Sequence, residues 1–316
     1  MKAYAAGYST VYEEIPFASC KASEGEIPGD LIGTYFKSGP AMFTAGSIKP
    51  PKKSIAQPKQ DPVPDGTDPD RMVAHPFDGD GAILGVTFSG DGTASVRYRY
   101  IRTTAYTSES KKGFKRYTGM EPTRSEGPSA GGGQGNDFPT PLFKHHLLPG
   151  LNKKRKNTSN TSSLYWSKKL LTLWEGGAPY KLDSLGLSTE GKSLLGGVLR
   201  ETDPFCGKAV YDPTNERVLF YSNIQDSGSS ELTVFEFNSK FRLASKTEHK
   251  LPGFALISDF AATPKYTIFV QPTVDVNTMQ YFMTKEPAKS LKVQDGQNAV
   301  SVIKLMLPFF LTLPFH

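Results

Sequence analysis

Histidine and cysteine are scarce in this chain, and that scarcity limits its chemistry. Cysteine occurs twice, at Cys20 and Cys206, far apart and in no metal or redox spacing. Reduced thiols in a reducing compartment are therefore expected. The five histidines, His75, His145, His146, His249 and His316, show no ligand spacing. No apolar run approaches the ~20 residues that a membrane-spanning helix needs. The amino terminus, "MKAYAAGYSTVYEEIPF", carries acids early and lacks the apolar core of an export signal. The expectation is an intracellular protein, of cytoplasm or plastid, with accidental sequons at Asn157 and Asn160. A serine-centred elbow, a phosphate loop and a paired-carboxylate motif are absent as well, so the motifs alone display no active site. Thirty-seven basic residues against 31 acidic ones give a charge of +6. That balance favours anionic surfaces without indicating nucleic acid.

What is present reads as short strands between Gly, Asp, Asn and Pro turns. "GAILGVTFSGDGTASVRYRYIRT" has apolar and β-branched residues on either side of Gly90-Asp91-Gly92, with Val96, Tyr98 and Tyr100 alternating. "LYWSKKLLTLWEGGAPYKLD" repeats the idea around Gly176-Gly177, and "KAVYDPTNERVLFYSNI" turns at Asp212 to Asn215. "SELTVFEFNSKFRLASKTEHKL" sets Leu232, Val234, Phe235 and Phe237 against Phe241 and Leu243, and "YTIFVQPTVDV" adds another strand. "GFALISDFAAT" reads as a strand entering a tight, buried corner at Ser258 and Asp259. Long amphipathic helical patterns are nearly missing. The class is all-β, and hairpins recurring every several tens of residues suit propeller blades better than a sandwich.

Some segments interrupt the rhythm. Residues 46–71 and 121–137 are rich in Pro, Lys, Asp or Gly and read as mobile insertions; 305–316 is an uncharged apolar tail broken by prolines. In "HPFDGDG", Asp78 and Asp80 have the opening spacing of a calcium loop. Ile83 and Ser89 stand where that loop needs Gly and Glu, so an acidic turn is expected. Gly79, Gly81 and Gly85 precede a strand rather than a helix, which rejects a nucleotide fingerprint. Phe138, Leu142, Phe143, Leu147 and Leu148 precede Lys153, Lys154 and Arg155. That mixture fits either an interfacial membrane segment or a core-covering loop beside a solvated basic patch.

"GEIPGDLIGTYFKSGP", "HPFDGDG", "YRYIRTTAY", "KNTSNTS", "LLTLWEGGAPYKLD" and "SDFAATPKYTIFVQ" follow one another as in the carotenoid oxygenases, which this chain resembles from about residue 10 to about residue 300. The resemblance implies a seven-bladed β-propeller with Fe(II) on its axis, held by four histidines. It also implies oxidative cleavage of a C=C bond in a carotenoid or apocarotenoid with dioxygen. The family's membrane-dipping patch falls where residues 138–156 stand, which tips that segment toward peripheral membrane contact.

The resemblance also implies a departure. Lys208 stands where the family writes a ligand histidine in Ala-His-Pro-Lys, and Ser258 where it writes His-Asp-Phe. The third and fourth ligands belong to blades beyond this span. An ammonium has no lone pair for a metal, and a serine hydroxyl is a poor neutral ligand for iron otherwise held by imidazoles. The expectation is a partial propeller over 1–304, truncated and followed by the divergent tail. It should bind no iron and perform no cleavage. A non-catalytic polyene- or membrane-binding protein, or a non-functional fragment, is the alternative.

Overall fold

The computed structural model describes residues 10–43, 73, 76–112, 117, 156–226, 229–253, 255–272, 274–276, 291–293 and 299–304. The insertions at 46–71 and 121–137, the tail at 305–316 and the apolar-basic segment 138–155 lie outside the described residues.

The first sheet comprises β1 (Ile15–Cys20), β2 (Ile32–Met42), β3 (Asp80–Ser89) and β4 (Ala94–Tyr100), antiparallel in the order β1-β4-β3-β2. The β3–β4 hairpin forms at the glycine pair expected from sequence. Gly90 and Gly92 take φ of 79° and 78°, which side chains resist. Asp91 Oδ1 accepts the Thr93 N–H at 2.9 Å and closes the turn.

The second sheet runs β5 (Ser162–Trp166), β6 (Lys169–Trp174), β7 (Gly177–Leu182) and β8 (Thr189–Lys192). The sequence reading missed its first turn. Ser167 and Lys168 both adopt left-handed φ, 48° and 59°, the geometry that best joins two twisted strands but carries no Asn-Gly signature here.

The third sheet contains β9 (Val210–Asp212), β10 (Arg217–Asp226), β11 (Ser229–Asn238) and β12 (Leu243–Pro252). Leu243 pairs with Phe237 as expected. Phe241 does not join the strand: it sits in the turn at φ 56° and stacks under Phe237 with ring centroids 5.0 Å apart. The fourth sheet holds β13 (Phe260–Ala262), β14 (Tyr266–Gln271) and β17 (Ala299–Lys304). A two-stranded ribbon, β15 (Val274–Val276) with β16 (Leu291–Val293), lies between them in sequence. "YTIFVQPTVDV" is thus two strands rather than one, because Pro272 cannot donate to a ladder.

These antiparallel sheets are of the propeller-blade type, so the all-β propeller reading holds. β2 lies beside β5, and β9 beside β13, so edge strands join the first sheet to the second and the third to the fourth. Alternation does the rest. Ile83 and Phe36 of the first sheet pack on Leu170, Tyr180, Leu182 and Leu187. A larger core joins Leu171 and Leu173 to Phe220, Phe237, Phe260 and Phe269 across the second, third and fourth sheets. The one helix among the described residues, α1 (Thr104–Lys112), follows β4 and stacks Tyr106 on Tyr100 at 5.6 Å. No described helix is long and apolar enough to cross a membrane.

The polar joint between the first two sheets explains several motifs. "HPFDGDG" forms a single 3-10 turn, Pro76–Asp78, and then starts β3 at a buried Asp80. Lys156 Nζ lies 2.7 Å from Asp80 Oδ2 and 2.8 Å from Glu109 Oε2, with all three side chains buried. Burial raises the Asp80 carboxyl to about 6, Lys156 opposing and Glu109 reinforcing the rise. Asn160 donates to Phe77 O at 2.9 Å and Gly79 O at 2.8 Å, and Asn157 donates to Ala178 O at 3.0 Å. Both sequon amides are therefore engaged inside the fold.

Candidate functional site

Two segments enter the leading strands of the third and fourth sheets, residues 204–209 ahead of β9 and 255–259 ahead of β13. Neither has a ladder of its own, so other groups must satisfy its backbone. β10 supplies them. Tyr221, 2% exposed, donates its hydroxyl to Ile257 O at 2.7 Å and its backbone N–H to Cys206 Sγ at 3.4 Å. Ser222 Oγ donates to Pro204 O at 2.8 Å, and Asn223 donates to Ala255 O. Three consecutive β10 residues thereby hold both segments, and their ends meet: Lys208 Nζ donates to Asp259 Oδ2.

Ser258 and Asp259 are exposed, and residues 255–259 form no strand. The expected buried strand-to-corner is thus corrected. Apolar Ala255 and Ile257 sink into the core, where they gave the stretch its strand-like pattern, while the chain stays irregular until Phe260. Lys208 and Asp259 keep 48% and 56% of their side-chain surface. At that exposure the pair contributes under about 1 kcal/mol to stability.

Glu175 flanks this pair from the β6–β7 turn. Burial raises its carboxyl, and the charge of Lys208 pulls it back down. Gly207 makes the close approach possible. A Cβ there would stand 2.7 Å from Thr161 Cγ2 and 2.8 Å from Glu175 Cγ. Ser162 Oγ fixes the same residue by donating to Gly207 O. Burial pushes the Cys206 thiol up to about 12, which makes it an inert packing group rather than a nucleophile.

The site therefore brings together Lys208, Ser258, Asp259 and Glu175. As a donor set it is a poor match for iron otherwise held by imidazoles. The Lys208 ammonium, donating to the one carboxylate beside Ser258, has no lone pair to offer a metal, and its charge opposes a cation. Among the described residues no three His, Cys, Asp or Glu side chains cluster as a metal group. His249 lies on β12, the far edge of the third sheet from β9, three strand spacings or about 14 Å away. Its Nε2 is bonded to Thr247 Oγ1 at 3.0 Å. His75, His145, His146 and His316 lie outside the described residues, as do Phe138, Leu142, Phe143, Leu147, Leu148, Lys153, Lys154 and Arg155. Glu175 and Tyr221 escaped the sequence reading. Glu175 carried one legible signal, a lone acid at a hairpin break between a tryptophan and two glycines. Tyr221 looked like any strand aromatic.

The family model described as retinal pigment epithelial membrane protein matches residues 8–303. The apocarotenoid-15,15'-oxygenase of Synechocystis sp. is 34% identical over 263 residues, covering 82% of this chain and 46% of that protein. The chloroplastic carotenoid cleavage dioxygenase 7 of Oryza sativa subsp. japonica is 26% identical over 295 residues, covering 79% and 42%. Among solved structures, a glutamate-to-glutamine mutant of Synechocystis apocarotenoid oxygenase superposes with a TM-score of 0.74 at 29% identity, covering 96% of this chain and 56% of that one. The cobalt-substituted form of the same enzyme gives 0.73 at 30% identity, covering 94% and 55%. The chain spans about half the length of these relatives.

Proposed function

The chain belongs to the retinal pigment epithelial membrane protein and carotenoid oxygenase family, and from that premise we propose that it is a non-cleaving member that holds a conjugated apolar ligand of the apocarotenoid class. The ligand class rests on the relatives, whose names specify apocarotenoid and carotenoid substrates. The absence of cleavage rests on one observation, the Lys208–Asp259 ion pair at the two segments where the resemblance calls for ligand histidines.

Iron in such a family would supply the activation of dioxygen. Here the residues do something else. Tyr221 fixes the two segments, Gly207 lets Glu175 approach, and Lys208 neutralises the carboxylate that a cation would otherwise use. The result is a self-compensated polar patch that needs no metal for charge balance.

The test is to incubate the purified protein with a C20-to-C30 apocarotenal, aerobically and with added Fe(II). A shifted visible band co-migrating with the protein is expected, with the substrate recovered intact by chromatography. Shortened aldehyde products, dependent on the protein and absent after boiling, would refute it.

A further inference from the structure

Lys156 carries one positive charge between two carboxylates, so the buried cluster it forms with Asp80 and Glu109 holds one negative charge in excess. The geometry shows where that excess is least satisfied. Lys156 Nζ donates to Asp80 Oδ2, whereas Asp80 Oδ1 is buried without a hydrogen-bond partner among the described residues. An ionised carboxylate can accept several hydrogen bonds, and a buried charge so poorly solvated is costly. A proton on Oδ1 removes the excess and leaves the bond at Oδ2 in place.

The helix α1, which carries Glu109, is held differently at its two ends. Thr103 caps its start by accepting the Tyr106 N–H at 3.0 Å, and the Thr104 N–H donates to Tyr180 Oη at 2.9 Å. Its last turn is held through Glu109, whose Oε2 meets Lys156 and whose Oε1 accepts the Tyr117 N–H at 3.1 Å. A carboxylate there also faces the negative end of the helix dipole. Glu109 thereby anchors both neighbours of residues 118–155, a span outside the described residues.

We propose that Asp80, Glu109 and Lys156 form a proton-operated clasp on the end of α1. With a proton on Asp80 the cluster is neutral and the last turn stays docked. With that proton lost, an uncompensated negative charge is buried and Glu109 is driven toward water. Asp80 pairs with Met42 of β2, and the Gly81 N–H donates to Thr158 O at 3.0 Å, so the helix end is the part that yields. Burial lifts the Asp80 carboxyl to about 6, with Lys156 opposing and Glu109 reinforcing the rise. Burial works against the Lys156 ammonium, but Asp80 and Glu109 outweigh it and hold its pKa above the ordinary range. Burial also raises the phenols of Tyr100 and Tyr106, the other groups whose charge is felt here. Lys156 and both phenols therefore keep their charge states near pH 6, and Arg102 and Glu14, beside Tyr106, pair with each other at 3.0 Å. The docked form binds the proton more tightly than an opened form with a carboxyl near 3.8, so docking weakens as pH rises through 6. Between pH 5 and pH 7.5 the ratio of docked to opened helix end should fall about tenfold.

The experiment is residue-resolved hydrogen exchange on the full chain at pH 5 and pH 7.5, corrected for the intrinsic pH dependence of exchange. Protection at residues 109–112 and 117 should drop about tenfold at the higher pH. The Tyr106 amide, bonded to Thr103, and the amides of β3 should not follow. Asp80→Asn and Glu109→Gln each remove one negative charge and keep the side-chain shape, so in both the drop should vanish. Equal protection at the two pH values in the unaltered protein would overturn the proposal. So would a drop that persists in both variants, or one shared by Tyr106 and β3. Where a variant fails to fold, the carbon-13 shift of the Asp80 carboxyl in the unaltered protein decides instead. A titration that tracks the loss of protection supports the clasp, and a carboxyl still ionised at pH 5 overturns it.

Discussion

Tyr221→Phe removes one oxygen and nothing else from the group that assembles the site. The ring keeps its edge-on contacts with Phe260 at 5.3 Å and Phe269 at 5.5 Å, so no cavity of consequence forms. What disappears is the 2.7 Å bond to Ile257 O, a carbonyl beside an almost fully buried side chain. Leaving a buried acceptor without its partner costs about 1–3 kcal/mol. For 316 residues, an unfolding entropy of about 2.1 cal/mol/K per residue gives roughly 0.66 kcal/mol/K. The melting temperature should then fall by about 1.5–4.5 °C. Near-ultraviolet circular dichroism reads the melt, and hydrogen exchange reads the amides of residues 255–260, which should exchange faster. Tyr211→Phe, on an exposed ring tilted 50° against Trp166, is the control and should change neither. An unchanged melt together with unchanged exchange at 255–260 would refute the claim that β10 holds Lys208 and Asp259 together.

Lys156→Met strands two buried carboxylates, Asp80 and Glu109, and should cost about 3–5 kcal/mol in denaturant titration at neutral pH. Folding raises the Asp80 carboxyl from an ordinary value near 3.8 to about 6, so the folded state favours its protonated form. Its stabilising contribution is complete below about pH 4 and disappears as pH rises through 6, so the melting-temperature advantage of the wild type over Asp80→Asn should shrink across that window. Gly81→Ala would set a Cβ 2.5 Å from Thr158 O, so a loss of about 1–3 kcal/mol is expected, whereas Gly39→Ala, with nothing within 4 Å, should be nearly neutral. The membrane contact that the resemblance implies for residues 138–156 would predict that neutralising Lys153, Lys154 and Arg155 weakens co-sedimentation with phosphatidylserine vesicles by roughly two orders of magnitude, at about 1 kcal/mol per basic residue. Unchanged co-sedimentation would refute that contact.

Strand content and hairpin positions were legible because alternation and glycine turns act locally. Gly90-Asp91-Gly92 and the Asp212–Asn215 turn both form where their residues placed them. The turn at Ser167-Lys168 was not legible, because two ordinary residues there accept left-handed backbone that the tight connection demands. Phe241 misled for a similar reason: an aromatic in a strand-like pattern proved to be a turn residue folded beneath its neighbour. The stretch around Ser258 looked buried because its alternate residues are buried, yet the polar pair after them faces outward. Lys208 and Ser258 could be singled out only through the resemblance. That Lys208 reaches Asp259, 51 positions on, and that Glu175, 33 positions before Lys208, feels its charge, depends on long-range approaches that no local pattern encodes.

The proposed non-cleaving function requires that Lys208 and Ser258 leave this chain without a resident iron ion. Elemental analysis of the full chain, expressed in iron-supplemented cells and purified without chelator, tests it most directly. Iron far below one atom per chain is expected, unchanged by Asp259→Asn. Iron near one atom per chain that survives gel filtration would contradict it.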